Sequence, residues 1–192
     1  MLLDLGLICN IDAYTIYHKY PMHSNEYVQE LTLDWDLAYI RELTLRLQYA
    51  RIANRPIHHR SVDQDPYLMS IQRKLPILSS TWNIYTFYPN IGVEPHVDGG
   101  RKCAVNIPVK NCESSSTIFY KQTTVDSRVD QDRILCSVSG TLEPVWQFTL
   151  TRPTLINTEQ PHSVTVGGLE PRVVFSWTVK DLSFESAKAH IS

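Results

Sequence analysis

The chain has little basic charge, few cysteines and no long apolar run, and each shortage excludes a class of protein. Its net charge is −2 over 192 residues, without the basic excess that a tightly held nucleic acid requires. The four cysteines form no Cys-x-x-Cys pair, which favours reduced thiols over a zinc site or a disulfide framework. No apolar stretch approaches the ~20 residues of a membrane span. We therefore expect a cytoplasmic protein with no membrane contact and no stable nucleic-acid partner.

The length suits a single domain with a substantial core. We expect residues 1–80 to supply an opening strand and covering helices, and residues 81–180 to form a β-rich core. Within 34–53, apolar side chains recur at three- and four-residue steps, which predicts an amphipathic helix capped by Asp34. Asp65 and Pro66 predict the start of a second helix that ends at Lys74.

The second half of the chain consists of short β-forming stretches separated by turn residues. Gly-containing turns predict hairpins within 134–150 and within 164–179. His58 and His59 lie in a short basic, polar stretch that we interpret as a solvated loop. A mainly β chain with covering helices predicts a double-stranded β-helix, which is the jelly-roll or cupin architecture.

Two histidines and an aspartate form the clearest candidate site. In a strand, residues two apart project to the same side, so the motif PHVDGG at 95–100 directs His96 and Asp98 into one space. The motif PHSV at 161–164 supplies His162, and Arg172 follows ten residues later. Two histidines and one carboxylate make the facial triad of non-haem Fe(II) oxygenases, and an arginine offers a fork for a bound carboxylate.

With residues 101–109 (RKCAVNIPV), these motifs resemble the Fe(II)/2-oxoglutarate-dependent dioxygenase superfamily over 81–179, and most closely its prolyl and aspartyl/asparaginyl hydroxylase branch. The resemblance implies that His96, Asp98 and His162 bind Fe(II), that Arg172 binds the far carboxylate of 2-oxoglutarate, and that O2 takes a remaining position. It also implies hydroxylation of a C–H bond of an amino acid or a protein side chain, with release of succinate and CO2. Aspartyl/asparaginyl hydroxylases carry glycine where this chain has Asp98.

Three further residues are assigned by position. In related dioxygenases the strand before the His-x-Asp motif supplies a hydroxyl to the co-substrate. This favours Tyr85 as a residue that assists Arg172 at the far carboxylate; core packing of Tyr85, and Tyr88 in its place, are the alternatives. Asn106 is an amide in an apolar strand and needs partners if it is buried. Those partners are either the 1-carboxylate of 2-oxoglutarate, the substrate or a backbone group.

Two other functions stay open at this point. One is a non-oxidative cupin, either a metal-dependent isomerase or a binding module; the other is an oxidative demethylase of nucleic acid, with Trp82, Trp146 or Tyr120 as stacking residues. Binding of 2-oxoglutarate separates the cupin from the two oxygenases. The acidic run 122–132 is a candidate substrate-covering lid. The sequence does not decide between a small-molecule and a protein substrate, and it does not determine the oligomeric state.

Overall fold

A computed structural model describes most of the chain, and for 57–62 and 135–137 it describes the backbone alone. The predicted opening strand at the N-terminus, the end of the first helix and the candidate lid 122–132 lie outside the described residues. Those residues are 26–47, 57–62, 64–89, 92–121, 135–138 and 141–191.

The described residues form short strands with helices near both ends. The strands are β1 (Val28–Glu30), β2 (Ile57–Val62), β3 (Leu78–Phe87), β4 (Val93–Asp98), β5 (Cys103–Lys110), β6 (Ser115–Lys121), β7 (Leu135–Ser137), β8 (Glu143–Phe148), β9 (Thr154–Asn157), β10 (His162–Val166) and β11 (Arg172–Val179). The helices are α1 (Leu37–Leu47), α2 (Pro66–Lys74) and α3 (Phe184–Ile191).

The strands make two antiparallel sheets. The six-stranded sheet has the order β1-β9-β5-β11-β3-β2, and the five-stranded sheet has the order β7-β4-β10-β6-β8. Successive strands from β3 to β6 and from β8 to β11 alternate between the sheets. This alternation is the topology of a jelly roll, in which two sheets enclose one interior. The predicted fold class, a mainly β jelly roll with covering helices, is confirmed.

Strand β11, in the interior of the six-stranded sheet, is buried on both faces. Along β11, Phe175 and Trp177 belong to the apolar cluster that contains Ile40 of α1 and Leu68 of α2. Because side chains alternate along a strand, Arg172, Val174 and Ser176 point the other way, into the space between the sheets. The outward face of β11 therefore holds the helices in place, and its inward face is left to form a site.

Both predicted hairpins are wrong. Strand β10 pairs with β4 and β6, whereas β11 pairs with β3 and β5, so the turn between β10 and β11 connects the two sheets. A Cβ atom at Gly167 in this turn would collide with the Ser114 carbonyl oxygen, which explains the glycine. Strands β7 and β8 lie at opposite edges of one sheet. Gly167 and Gly168 indicated where the chain turns, but they do not determine which sheet the next strand joins.

Two further local predictions need correction. Helix α1 begins after Asp36, whose Oδ1 accepts a hydrogen bond of 2.9 Å from the Tyr39 backbone N–H, so Asp36 and not Asp34 caps it. His58 and His59 lie in β2, which pairs with β3, and not in a loop. Backbone pairing with a distant strand overrides the polar composition of that stretch. No helix among the described residues has the length and apolarity that a membrane crossing requires.

Helix α2 runs as predicted, and its cap has a second role. Asp65 Oδ1 accepts a bond of 3.0 Å from the Leu68 backbone N–H, and Oδ2 accepts one of 2.8 Å from the Tyr39 hydroxyl on α1. We expect Asp65→Ala to lower the free energy of unfolding by about 1–2 kcal/mol in urea denaturation. Asp65→Asn keeps a capping oxygen and should lose less. Equal losses for the two variants would contradict the capping role.

Candidate metal centre

Three side chains that could hold a metal ion converge between the sheets. His96 and Asp98 lie two residues apart on β4, and His162 of β10 is directly opposite His96 in the register of the two strands. The imidazole centroids are 4.4 Å apart, and His96 Nε2 lies 3.6 Å from Asp98 Oδ1. One ligand atom from each of the three residues lies within 4.8 Å of the others. The structure thus brings together the three residues that the motifs predicted as ligands.

The backbone fixes which nitrogen each imidazole offers. His96 Nδ1 lies 2.7 Å from the Glu94 carbonyl oxygen, and His162 Nδ1 lies 2.9 Å from the Gln160 carbonyl oxygen. A carbonyl only accepts, so each Nδ1 carries a proton, and in the neutral form of either ring Nε2 has the free lone pair. Burial, aided by the neighbouring His162, lowers the pKa of His96 to about 4. The His96 ring is therefore neutral at pH 7, as a metal ligand must be.

The carboxylate of the site is ionised. Burial alone would raise the pKa of Asp98, but the Arg101 guanidinium and the two imidazoles outweigh burial and hold the pKa below its usual value. Arg101 Nε donates to Asp98 Oδ2 over 2.6 Å, while Oδ1 faces His96. Two imidazole nitrogens and one carboxylate oxygen fit a divalent transition-metal ion and leave its other coordination positions open.

Arg172 is a buried cation whose described partners include no carboxylate: they are the Thr117 hydroxyl, the Phe87 ring and the Cys112 thiol, whose pKa is raised by burial. Its exposed fraction is 2%, and burial lowers the pKa of its guanidinium. Both terminal nitrogens lie 3.4 Å from the Thr117 hydroxyl, its Cζ lies 5.4 Å from the centroid of the Phe87 ring, and its Nε has no hydrogen-bond partner among the described residues. A buried charge normally has a counter-charge. The surroundings of Arg172 therefore fit an anionic ligand.

The arginine and the triad share the interior of the jelly roll. Thr117 of β6 pairs with Val164 of β10, and Val164 is two residues from His162 on the same strand. Alternate residues of a strand lie about 7 Å apart on one face. Arg172 reaches Thr117 from the opposite sheet. Its guanidinium therefore lies about 7 Å, the spacing of alternate residues along a strand, from the level of His162.

Tyr85 lies beside Arg101, which is bonded to Asp98 of the triad. Arg101 Cζ is 5.2 Å from the centroid of the Tyr85 ring. Burial raises the pKa of Tyr85, and the charges that act on its hydroxyl are those of Arg101 and Asp98. The neighbour of Arg172 on β3 is Phe87, which is directly opposite in register. Tyr88, the alternative, is buried just after the end of β3.

Asn106 lies on the inward face of β5. It is opposite Ser176 of β11 and Thr154 of β9, and Ser176 is in turn opposite Asn83 of β3. A row of polar side chains therefore crosses four strands. The Asn106 Oδ1 atom is buried without a hydrogen-bond partner among the described residues, so Asn106 retains capacity to bond a ligand.

Sequence reasoning missed two contacts of this site. The motifs indicated no partner within the chain for Arg101, whereas Arg101 is bonded to Asp98 and to Ser176. They also gave Thr117 no role, although the Thr117 hydroxyl is the hydrogen-bond partner of Arg172. The three-residue spacing of Asp98 and Arg101 was the signal available for the first contact. The second depends on packing between sheets, for which the sequence carries no local signal.

No protein-family model matches the chain, and no curated protein matches it. Solved structures that resemble it include SnoN, a non-heme alpha-ketoglutarate-dependent epimerase from nogalamycin biosynthesis (12% identity, TM-score 0.46, covering 79% of this chain and 78% of that one). A 2OG-Fe(II) oxygenase family oxidoreductase from Burkholderia pseudomallei has 13% identity and a TM-score of 0.44, covering 77% of this chain and 80% of that one. A vicilin from hazelnut, Corylus avellana, has 12% identity and a TM-score of 0.39, covering 70% of this chain and 31% of that one.

These structures differ in function, and the chain spans less than a third of the hazelnut vicilin. At such identities and TM-scores the similarities carry no argument about activity. The strand order and the site geometry are therefore the basis for classifying this chain. By them, the chain is a jelly-roll protein whose interior contains a buried arginine and a His-Asp-His cluster that could hold a metal ion.

Proposed function

We propose that the chain is an Fe(II)- and 2-oxoglutarate-dependent oxygenase that hydroxylates a C–H bond of an amino acid or a protein side chain, releasing succinate and CO2. The observation that carries this proposal is the pairing of a His-Asp-His triad with Arg172, a buried cation about 7 Å from the level of His162. A triad alone needs no buried arginine. A dicarboxylate that reaches from a metal to a guanidinium accounts for both.

His96 Nε2, His162 Nε2 and one oxygen of Asp98 would hold the Fe(II). The bound iron supplies the redox chemistry by which O2 oxidises 2-oxoglutarate and the substrate. The chain orients the ligands. The Glu94 and Gln160 carbonyls fix the imidazole rings, and Arg101 fixes the carboxylate, so the site needs little rearrangement when metal arrives.

The far carboxylate of 2-oxoglutarate would bind the Arg172 guanidinium and the Thr117 hydroxyl. Phe87, Val164 and Val174 form an apolar cluster in this part of the interior. Such surroundings exclude water, and a charge-assisted hydrogen bond is then stronger than in solution. Binding would supply the counter-charge that Arg172 lacks among its described partners.

Tyr85 and Asn106 complete the proposed co-substrate site. The Tyr85 hydroxyl, close to Asp98 and Arg101, would donate to the part of 2-oxoglutarate nearest the metal. The Asn106 amide would bond either the 1-carboxylate or the substrate. Both side chains line the face of the six-stranded sheet that points toward the triad.

The other two functions have less support. A non-oxidative cupin would use the triad, but it gives no reason for a buried cation without a counter-charge. A nucleic-acid demethylase needs accessible stacking aromatics. Trp82 is only 1% exposed, and the Trp146 ring already stacks on Phe148 at an angle of 4°.

The proposal is tested by incubating purified protein with Fe(II), ascorbate, O2 and 2-oxoglutarate and measuring succinate. We expect succinate to form slowly without an added substrate, and to require both iron and oxygen. His96→Ala should form none, because it lacks a metal ligand. Succinate formation at equal rates by the native protein and by His96→Ala, or by neither, would contradict the proposed activity.

A further inference from the structure

Arg101 connects the two sheets beside the triad. Its Nε donates to Asp98 Oδ2 of the five-stranded sheet over 2.6 Å, and its Nη1 donates to Ser176 Oγ of the six-stranded sheet over 2.9 Å. Its guanidinium also lies against the Tyr85 ring. The Asp98 side chain is only 3% exposed, so this ion pair is shielded from solvent. The guanidinium is thus fixed by three contacts, with Asp98, Ser176 and the Tyr85 ring.

The backbone of Arg101 is held as well. Gly100 has φ +80, a conformation that favours glycine, and this turn lets Arg101 reach back to Asp98. The Thr158 hydroxyl donates to the Arg101 carbonyl oxygen over 3.0 Å, and the Thr158 N–H donates to the Lys102 carbonyl oxygen over 3.0 Å. The segment that carries Arg101 is therefore anchored independently of its side chain.

We infer that Arg101 is a positioning residue that makes Asp98 a one-oxygen metal ligand. The inference rests on the metal centre of the proposed function. A carboxylate can bind a metal through one oxygen or through both, and binding through both occupies two coordination positions. Arg101 holds Oδ2 in a charge-assisted hydrogen bond, so only Oδ1 is left for the metal. One more position then stays open for another ligand.

Ser176 has a supporting role in this arrangement. Its hydroxyl accepts from the guanidinium that holds Asp98, and it lies on β11, the strand that also carries Arg172. Loss of this hydroxyl should loosen Arg101 without touching any metal ligand. Ser176→Ala is therefore a milder variant than removal of the guanidinium, and Ser176→Thr keeps the hydroxyl as its matched control.

The test is the binding mode of the carboxylate in cobalt-loaded protein, measured by infrared difference spectroscopy and by cobalt visible absorption. In native protein we expect the wide separation of carboxylate stretching bands that marks one-oxygen binding. In Arg101→Met the separation should narrow, the cobalt absorption should weaken as the coordination number rises, and metal affinity should fall about 10- to 100-fold. In Ser176→Ala the band separation and the cobalt absorption should change in the same direction. In Ser176→Thr both should match those of native protein.

An arginine that only stabilised the fold would lower thermal stability in Arg101→Met without changing the infrared bands, and that result would overturn the inference. If Arg101→Met does not fold, native-like bands in Ser176→Ala would overturn it instead. Failure of native protein to bind cobalt is a different outcome, because it would contradict the metal centre itself.

Discussion

Replacing His162 with alanine should weaken divalent-metal binding by more than about 100-fold, because loss of even an outer partner of a metal ligand costs 10- to 100-fold. His162 is one of the three proposed ligands among the described residues, and its Nδ1 faces the Gln160 carbonyl, which leaves Nε2 toward the metal. The jelly roll should stay folded, since the side chain lies in the interior site and not in the cluster under the helices. Titration calorimetry with Mn(II), or with Fe(II) under anaerobic conditions, measures the loss.

The matched control is His190→Ala. His190 is exposed near the end of α3, where its Nδ1 lies 2.8 Å from the Ser186 carbonyl oxygen. This variant should bind metal as the native protein does. If His162→Ala bound metal normally while remaining folded, the triad would not be the metal site.

Arg172→Met should weaken the binding of 2-oxoglutarate but stabilise the ligand-free protein. Binding of 2-oxoglutarate to metal-loaded protein should weaken by about 2–5 kcal/mol, the usual cost of removing one partner of a buried charge pair, or about 30-fold to several-thousand-fold. The free energy of unfolding of the ligand-free protein should rise by about 1–4 kcal/mol, because methionine removes a desolvated cation that has no carboxylate among its described partners. Metal affinity should be retained.

Arg152→Met is the control for this pair of effects. Arg152 is largely exposed, and its Nη1 lies 3.6 Å from Glu30 Oε2, so its loss should change neither co-substrate binding nor stability by more than a few tenths of a kcal/mol. Unchanged 2-oxoglutarate binding in Arg172→Met would contradict the proposed role. So would a loss of metal affinity equal to that of His162→Ala.

The parts of the site that sequence could predict are those determined by strand periodicity. The two-residue spacing of His96 and Asp98 sets their common direction within β4, whatever the rest of the fold. The Asp65 cap of α2 is local in the same way, because Asp65 accepts its hydrogen bond from Leu68, three residues along the chain. The order of the motifs then placed His162 and Arg172 in the same interior.

The parts that sequence could not predict depend on contacts between sheets. The glycine turn after β10 looks the same in a hairpin and in a crossing between sheets, so Arg172 was expected on a strand paired with β10. It reaches the site from the opposite sheet instead. The contact of Thr117 with Arg172 and that of Ser176 with Arg101 join residues more than fifty positions apart. Residue spacing does not encode such contacts.

The most direct test of the account is an anaerobic calorimetric titration of 2-oxoglutarate into the protein with and without Fe(II). The central claim is that one interior holds a metal and, beside it, a cation for the far carboxylate. It predicts saturable one-to-one binding that depends on iron and is largely lost in Arg172→Met. Absence of binding to iron-loaded protein, or equal binding with and without iron, would contradict it.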